Sequence, residues 1–155
     1  MQLVSRWYGF FGKCYICVMK QTKFFKPYKK PQSTNLKFTD GKAGVYIIKR
    51  SGSTKPLYVG MSGSNLYKTI TRHFQAWPDP NQVRVTYSQK SDIVIRVILT
   101  TPKQAERLER YLILKYKPTD NPGKIASYQL DAFDKGVVES YSNVLTSLVP
   151  EDFSF

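Results

Sequence analysis

Between Gly44 and Asn121 short apolar runs alternate with turn-forming residues, and the period of each run assigns its element. Gly44–Arg50 (GVYIIKR) and Pro56–Gly60 (PLYVG) are rich in β-branched and aromatic side chains. The Ser51–Lys55 stretch (SGSTK) between them is turn chemistry, so the three together predict a β-hairpin. Asn65 is placed to cap a helix running from about Leu66 to Ala76, with Leu66, Ile70, Phe74 and Trp77 on its buried side. Pro78-Asp79-Pro80 stops it. Two strand-like runs follow, Gln82–Tyr87 and Ile93–Thr100, joined by a polar Ser88–Asp92. The second is apolar apart from Arg96, which places it centrally in a sheet. Thr101-Pro102-Lys103-Gln104 then opens a helix with a capping box and a first-turn proline; Ala105, Leu108, Leu112 and Tyr116 share one face, and Pro118 ends it. The fold class is α+β, a small and mostly antiparallel central sheet flanked by helices.

A chain of 155 residues has room for one such domain with an extension at either end. Residues 44–124 are the expected domain, residues 1–43 a basic aromatic arm, and residues 125–155 an acidic extension that either packs on the domain or is flexible. In the arm, KFFKPYKKPQ carries Pro27 and Pro31, which argue against a helix. Lys23, Lys26, Lys29 and Lys30 can track phosphates there while Phe24, Phe25 and Tyr28 stack on bases. The same residues also fit a disordered leader, or an aromatic strap packed on the domain. Residues 1–18 are either a true part of the arm or lie upstream of a start at Met19.

Charge narrows the partners. The net charge is +13, and the sequence pI is near 9.8. Residues 1–43 carry +8 and residues 44–124 carry +9, whereas residues 125–155 carry −4. Such an excess points to a polyanion met by the first two segments and avoided by the tail. A merely soluble basic protein is the bland alternative. Nucleic acid is favoured over an anionic membrane because no long basic amphipathic helix is evident. Trp7–Met19 is broken by Gly9, Gly12 and Lys13 and falls short of the roughly 18 apolar residues of a spanning helix. With no cleavage site following it, a cytoplasmic monomer without a membrane partner is expected. Cys14 and Cys17 form a lone Cys-x-x-Cys without a second pair, and are read as free thiols.

Candidate chemistry comes from five elements in fixed order. Gly44-Val45-Tyr46 on one strand precedes Tyr58-Val59-Gly60 on the next; Arg72-His73-Phe74 follows on the first helix, Glu109 on the second, and Asn121 closes KPTDN. Together these resemble the GIY-YIG nuclease superfamily, which includes the incision subunit of nucleotide-excision repair and phage homing endonucleases. The resemblance runs from about Gly44 to Asn121 and is closest to small stand-alone members carrying YVGMS, NLYKT and RHFQ.

The resemblance implies a metal-dependent endonuclease acting on nucleic acid, DNA ahead of RNA, and leaving 5′-phosphate and 3′-hydroxyl ends. In that reading Glu109 binds one Mg²⁺ or Mn²⁺. Tyr46 acts as general base on the attacking water, with His73 accepting its proton, since a neutral phenol is otherwise a poor base. Tyr58 positions the water or a phosphate oxygen. Asn121 braces the helix end against the hairpin, and Gly44 and Gly60 belong to the paired motif. The chain departs from the family where the catalytic arginine is expected: Thr69 stands four residues before His73, and counting forward from Gly60 lands on Lys68. Arg72, supported by Lys68, is the expected substitute cation, although neither guanidinium nor ammonium is exchangeable without cost. Met61 is a second departure. Two other functions stay open, a binding module impaired by Thr69 and an RNA-binding or RNA-processing protein. Glu109 also reads as an exposed residue paired with Arg110 or Lys103, and His73 as an ordinary, partly buried histidine.

Overall fold

The computed structural model describes residues 2–3, 20–30, 33–75, 86–87 and 92–127. In chain order they form β1 (Gln2–Leu3), β2 (Lys20–Gln21), β3 (Tyr28–Lys30), β4 (Ser33–Thr34), β5 (Gly44–Arg50), β6 (Tyr58–Ser62), α1 (Leu66–Thr71), β7 (Ile93–Leu99), α2 (Pro102–Tyr116) and α3 (Pro122–Ser127), with 3₁₀ turns at Lys37–Thr39 and Arg72–Phe74. The expected hairpin is β5–β6, in register Val45↔Met61, Tyr46↔Gly60 and Ile48↔Tyr58. On its other side β5 pairs along its whole length with β7, Val45↔Ile98 and Ile47↔Arg96. This antiparallel three-stranded core is extended by the two-residue strands β2 and β1 in the order β1-β2-β7-β5-β6, while β3 and β4 pair separately.

Both faces of the core are covered, which is why β5 and β7 read as continuous apolar runs rather than as alternations. One face, with Val45, Ile47, Val59 and Ile98, packs against Ala105, Leu108, Leu112 and Ile113 of α2. The other, with Tyr46, Ile48, Ile95 and Val97, packs against Leu66 and Ile70 of α1 and against Phe74. Gly44 permits the close approach of strand and helix: a Cβ there would lie 2.2 Å from the Ile98 carbonyl oxygen and 3.0 Å from a Leu66 methyl. The capping box forms, with Gln104 N–H donating to Thr101 Oγ1 and Thr101 N–H to Gln104 Oε1. Among the described residues no helix is long and apolar enough to cross a membrane.

Three expectations change. The helix from Leu66, capped by Asn65 as expected, stays α-helical only to Thr71 and then tightens into the 3₁₀ turn. Its Thr-Ile-Thr run is β-branched, and the Thr69 and Thr71 hydroxyls donate back to the carbonyls of Asn65 and Tyr67 at 3.1 and 2.8 Å, which favours early termination. Arg72 therefore opens the turn instead of continuing the face of Lys68. Secondly, the arm from Lys20 onward is a strap along the free edge of β7. Thr22 and Phe25 donate backbone hydrogen bonds to Val97 and Ile95. Phe24 covers the buried cations Lys49 and Arg96, 4.4 and 5.3 Å from its ring centre. Phe25 packs on Phe38, and Tyr28 edge-on against Phe74. Rings expected to stack on bases are thus engaged with the domain. Thirdly, Tyr87 is buried but is not in a strand. Residues 82–85 of the Gln82–Tyr87 run, Trp77, the proline stop, the two cysteines and the extension beyond Ser127 lie outside the described residues.

Asn121 ties the end of the α2 region to the hairpin. Its Oδ1 accepts from Val59 N–H at 2.9 Å and its Nδ2 donates to the Val59 carbonyl at 3.1 Å, both bonds buried. Removing the amide leaves two buried backbone groups unsatisfied, so Asn121→Ala should lower unfolding free energy by about 2–4 kcal/mol. Urea denaturation checks this; a loss below about 1 kcal/mol would show that solvent replaces the brace.

Candidate active site

Strand alternation places Tyr46 and Tyr58 on one face as diagonal neighbours, because Tyr46 faces Gly60 and Ile48 faces Tyr58. The absence of a side chain at Gly60 makes room for the Tyr46 ring: a Cβ there would stand 2.4 Å from the phenol oxygen. The rings of Tyr46 and Tyr58 stack with centres 6.1 Å apart at 26°. The 3₁₀ turn after α1 delivers His73, buried, with Nε2 2.7 Å from the Tyr46 hydroxyl. Its ring also lies 4.7 Å from that of Tyr58.

Tyr46 is 1% exposed. Burial, first, pushes its pKa well above the ordinary phenol range; neighbouring Tyr58, the charge of Glu109 and a hydrogen bond with Tyr58 push the same way. Tyr58, by contrast, is partly exposed. Tyr58, Tyr46 and His73 therefore form a hydrogen-bonded run from a partly exposed tyrosine to a buried imidazole.

Two residues that sequence reasoning passed over hold this run in place. Tyr87 donates its backbone N–H to the His73 carbonyl at 2.7 Å, and its ring centre lies 6.2 Å from the imidazole. Its hydroxyl donates to Asp120 Oδ2 at 2.8 Å, and Asp120 N–H donates to the Leu57 carbonyl at 2.8 Å. Burial and the bond to Asp120 raise the Tyr87 pKa, so the phenol remains a donor. The aspartate stands beside Asn121 in KPTDN, but its partner is 33 residues earlier, a separation that no local pattern reports.

Glu109 projects from α2 and is 4% exposed, near enough to Tyr46 for its charge to raise that pKa. Arg110 pairs with Glu106 at 3.3 Å, one helical turn away. Lys124 of α3 donates to Glu109 Oε1 at 2.5 Å. Among the described residues no cluster of three or more His, Cys, Asp or Glu could hold a metal. A lone carboxylate does fit a magnesium-like ion, which binds through one or two carboxylates and fills its shell with water and phosphate oxygens.

The expected cations lie on α1 and at the start of the turn that carries His73. Lys68 and Arg72 are exposed, and among the described residues neither side chain forms a hydrogen bond or an ion pair. The Lys68 charge is instead felt by Asp40, whose pKa is lowered first by its bond from Asn65 and then by Lys37 and Lys68. Thr69 turns its hydroxyl onto its own helix. In the arm, Lys23 and Lys26 are exposed, and Lys29 and Lys30 lie on β3.

Comparison with protein families matches residues 42–122 to the GIY-YIG catalytic domain. No curated protein and no solved structure matches the chain. The matched segment starts just before β5 and ends just past Asn121, so it contains both tyrosines, His73, Tyr87, Glu109 and Asp120, and stops short of Lys124. Since that segment takes in more than half of the sequence and all three strands of the core, the chain belongs to the GIY-YIG family of nuclease-type phosphodiesterase domains.

Proposed function

We propose that the protein is a metal-dependent endonuclease that hydrolyses phosphodiester bonds in nucleic acid, DNA ahead of RNA, leaving 5′-phosphate and 3′-hydroxyl ends. One observation carries this reading: the hydrogen-bonded run Tyr58, Tyr46, His73 and the buried Glu109 carboxylate, whose charge acts on Tyr46, fall inside one segment matched to a catalytic domain.

The chemistry follows from burial. Tyr46 cannot lose its proton outright, because desolvation and the nearby carboxylate both oppose a phenolate. It can take up one proton as it gives up another, and then no charge settles on the buried oxygen. Water touching the partly exposed Tyr58 hydroxyl therefore has a proton path through Tyr58 and Tyr46 to His73 Nε2, which ends as imidazolium. Tyr58, not Tyr46, meets the attacking water in this scheme. Tyr87 fixes the His73 turn so that Nε2 stays on the phenol. Glu109 would hold the divalent ion, which when bound supplies Lewis-acid neutralisation of the charge developing on the phosphate. Lys23, Lys26, Lys29 and Lys30 along the strap, with Lys68 on α1 and Arg72 on the turn after it, supply phosphate contacts of the salt-sensitive kind.

A second reading is supported by Thr69. Its hydroxyl is spent on the Asn65 carbonyl, and a binding module lacking turnover would look the same at this position.

Nicking of supercoiled plasmid with Mg²⁺ or Mn²⁺ tests the first reading. EDTA should stop it, and Glu109→Ala should slow it by roughly 10²–10³ with DNA affinity, read by anisotropy, unchanged. Retained cutting by Glu109→Ala would take that residue out of the site. Thr69→Arg should accelerate cleavage roughly tenfold or more by restoring a cation of the kind worth 10²–10³ in related settings. Binding without cleavage in both wild type and Thr69→Arg, across both metals, selects the second reading. Tyr87→Phe keeps the ring and the backbone bond to His73 but loses the bond to Asp120 that anchors them, and should lower kcat by about tenfold with KM little changed. A fall confined to KM would mean that Tyr87 acts on substrate binding instead.

A further inference from the structure

The Lys124–Glu109 pair is not explained by the reaction scheme, and it sits on the residue that the scheme needs most. We propose that Lys124 is an internal counter-ion that competes with the divalent metal for Glu109, so that ion binding requires its displacement. This rests on the metal-dependent reading above.

Three observations carry it. The ammonium nitrogen is 2.5 Å from Oε1, a direct charge-assisted contact. The carboxylate side chain is 5% exposed while the lysine is 41% exposed, so a buried acid is paired with a cation that can leave it for solvent. Lys124 is also held at this place by the fold. α3 starts directly after Asn121, whose amide grips Val59 on the strand carrying Tyr58, and Ile125 N–H donates to the Asn121 carbonyl at 3.1 Å.

A magnesium-like ion takes a carboxylate oxygen at about 2.0–2.1 Å, inside the space that the ammonium now contacts. Two like-charged partners on one buried carboxylate repel strongly at partial-protein dielectric, so the two cations exclude each other. The lysine sets a positive charge against the buried carboxylate when no ion is bound, which offsets part of the cost of burying that charge. An ion that brings two charges and its own waters can replace it; a monovalent ion brings no such advantage. The displaced lysine stem is anchored on a short helix at the rim, and its head swings toward solvent.

The test is Mn²⁺ binding to the full chain at neutral pH, followed by the paramagnetic resonance of free Mn²⁺. Lys124→Met should tighten the Mn²⁺ Kd by roughly tenfold, equivalent to about 1.4 kcal/mol of removed competition. Lys124→Arg, which retains the charge, should bind as wild type does, and Glu109→Gln should abolish the site in the wild-type and Lys124→Met backgrounds. Circular dichroism confirms that each variant is folded. A Lys124→Met Kd equal to or weaker than wild type, with Glu109→Gln still inactive in binding, overturns the competition and leaves an ordinary ion pair. Binding that survives Glu109→Gln overturns the metal assignment itself, and the competition with it.

Discussion

The site depends on a phenol packed over a bare backbone. Tyr46 can point into the layer between sheet and α1 because its cross-strand neighbour is Gly60, and a single carbon there would occupy the hydroxyl's position. That one vacancy lets a ring on the central strand reach both Tyr58, two positions back on the partner strand, and His73 on the following turn. The motif glycine thus serves the tyrosine more than the turn. Gly44 does the equivalent for the strand itself, letting it lie against β7 and α1 at once.

Much of this was readable because the relevant interactions are local. Asn65 capping α1 and the Thr101–Gln104 box opening α2 join residues three apart, and the hairpin follows from composition and a turn. What escaped was set by contacts distant in sequence. Tyr87 reads as the end of a strand, yet it serves as the strut between His73 and Asp120. Glu109 had plausible ion-pair partners within one helical turn, whereas Lys124, which reaches it too, lies on another helix fifteen residues on. The aromatic strap could not be told from a free arm, because Phe24, Phe25 and Tyr28 suit either, and only the exposed edge of β7 decides between them.

Packing the strap has a consequence for recognition. With Phe24 over Lys49 and Arg96 and with Tyr28 against Phe74, base stacking by these rings would require peeling the strap from the sheet. Phosphate contact by the exposed Lys23 and Lys26 needs no such rearrangement. On the proposed function, affinity would then come from backbone charge, with little means of reading sequence from this segment.

The same separation of charges bears on the missing arginine. The resemblance to the family puts a catalytic arginine on α1 at Thr69; here the helix spends that position on a hydroxyl facing its own carbonyl. The positive charge described in contact with the centre comes instead from α3, through Lys124, and it is directed at the acid and not at the tyrosines. A lysine there cannot reproduce the two-point grip of a guanidinium on a phosphate. It can set how readily the carboxylate accepts an ion. If the proposed chemistry holds, loss of a fixed phosphate ligand on one helix and gain of an exchangeable counter-ion on another would shift control of the reaction from substrate grip to metal occupancy.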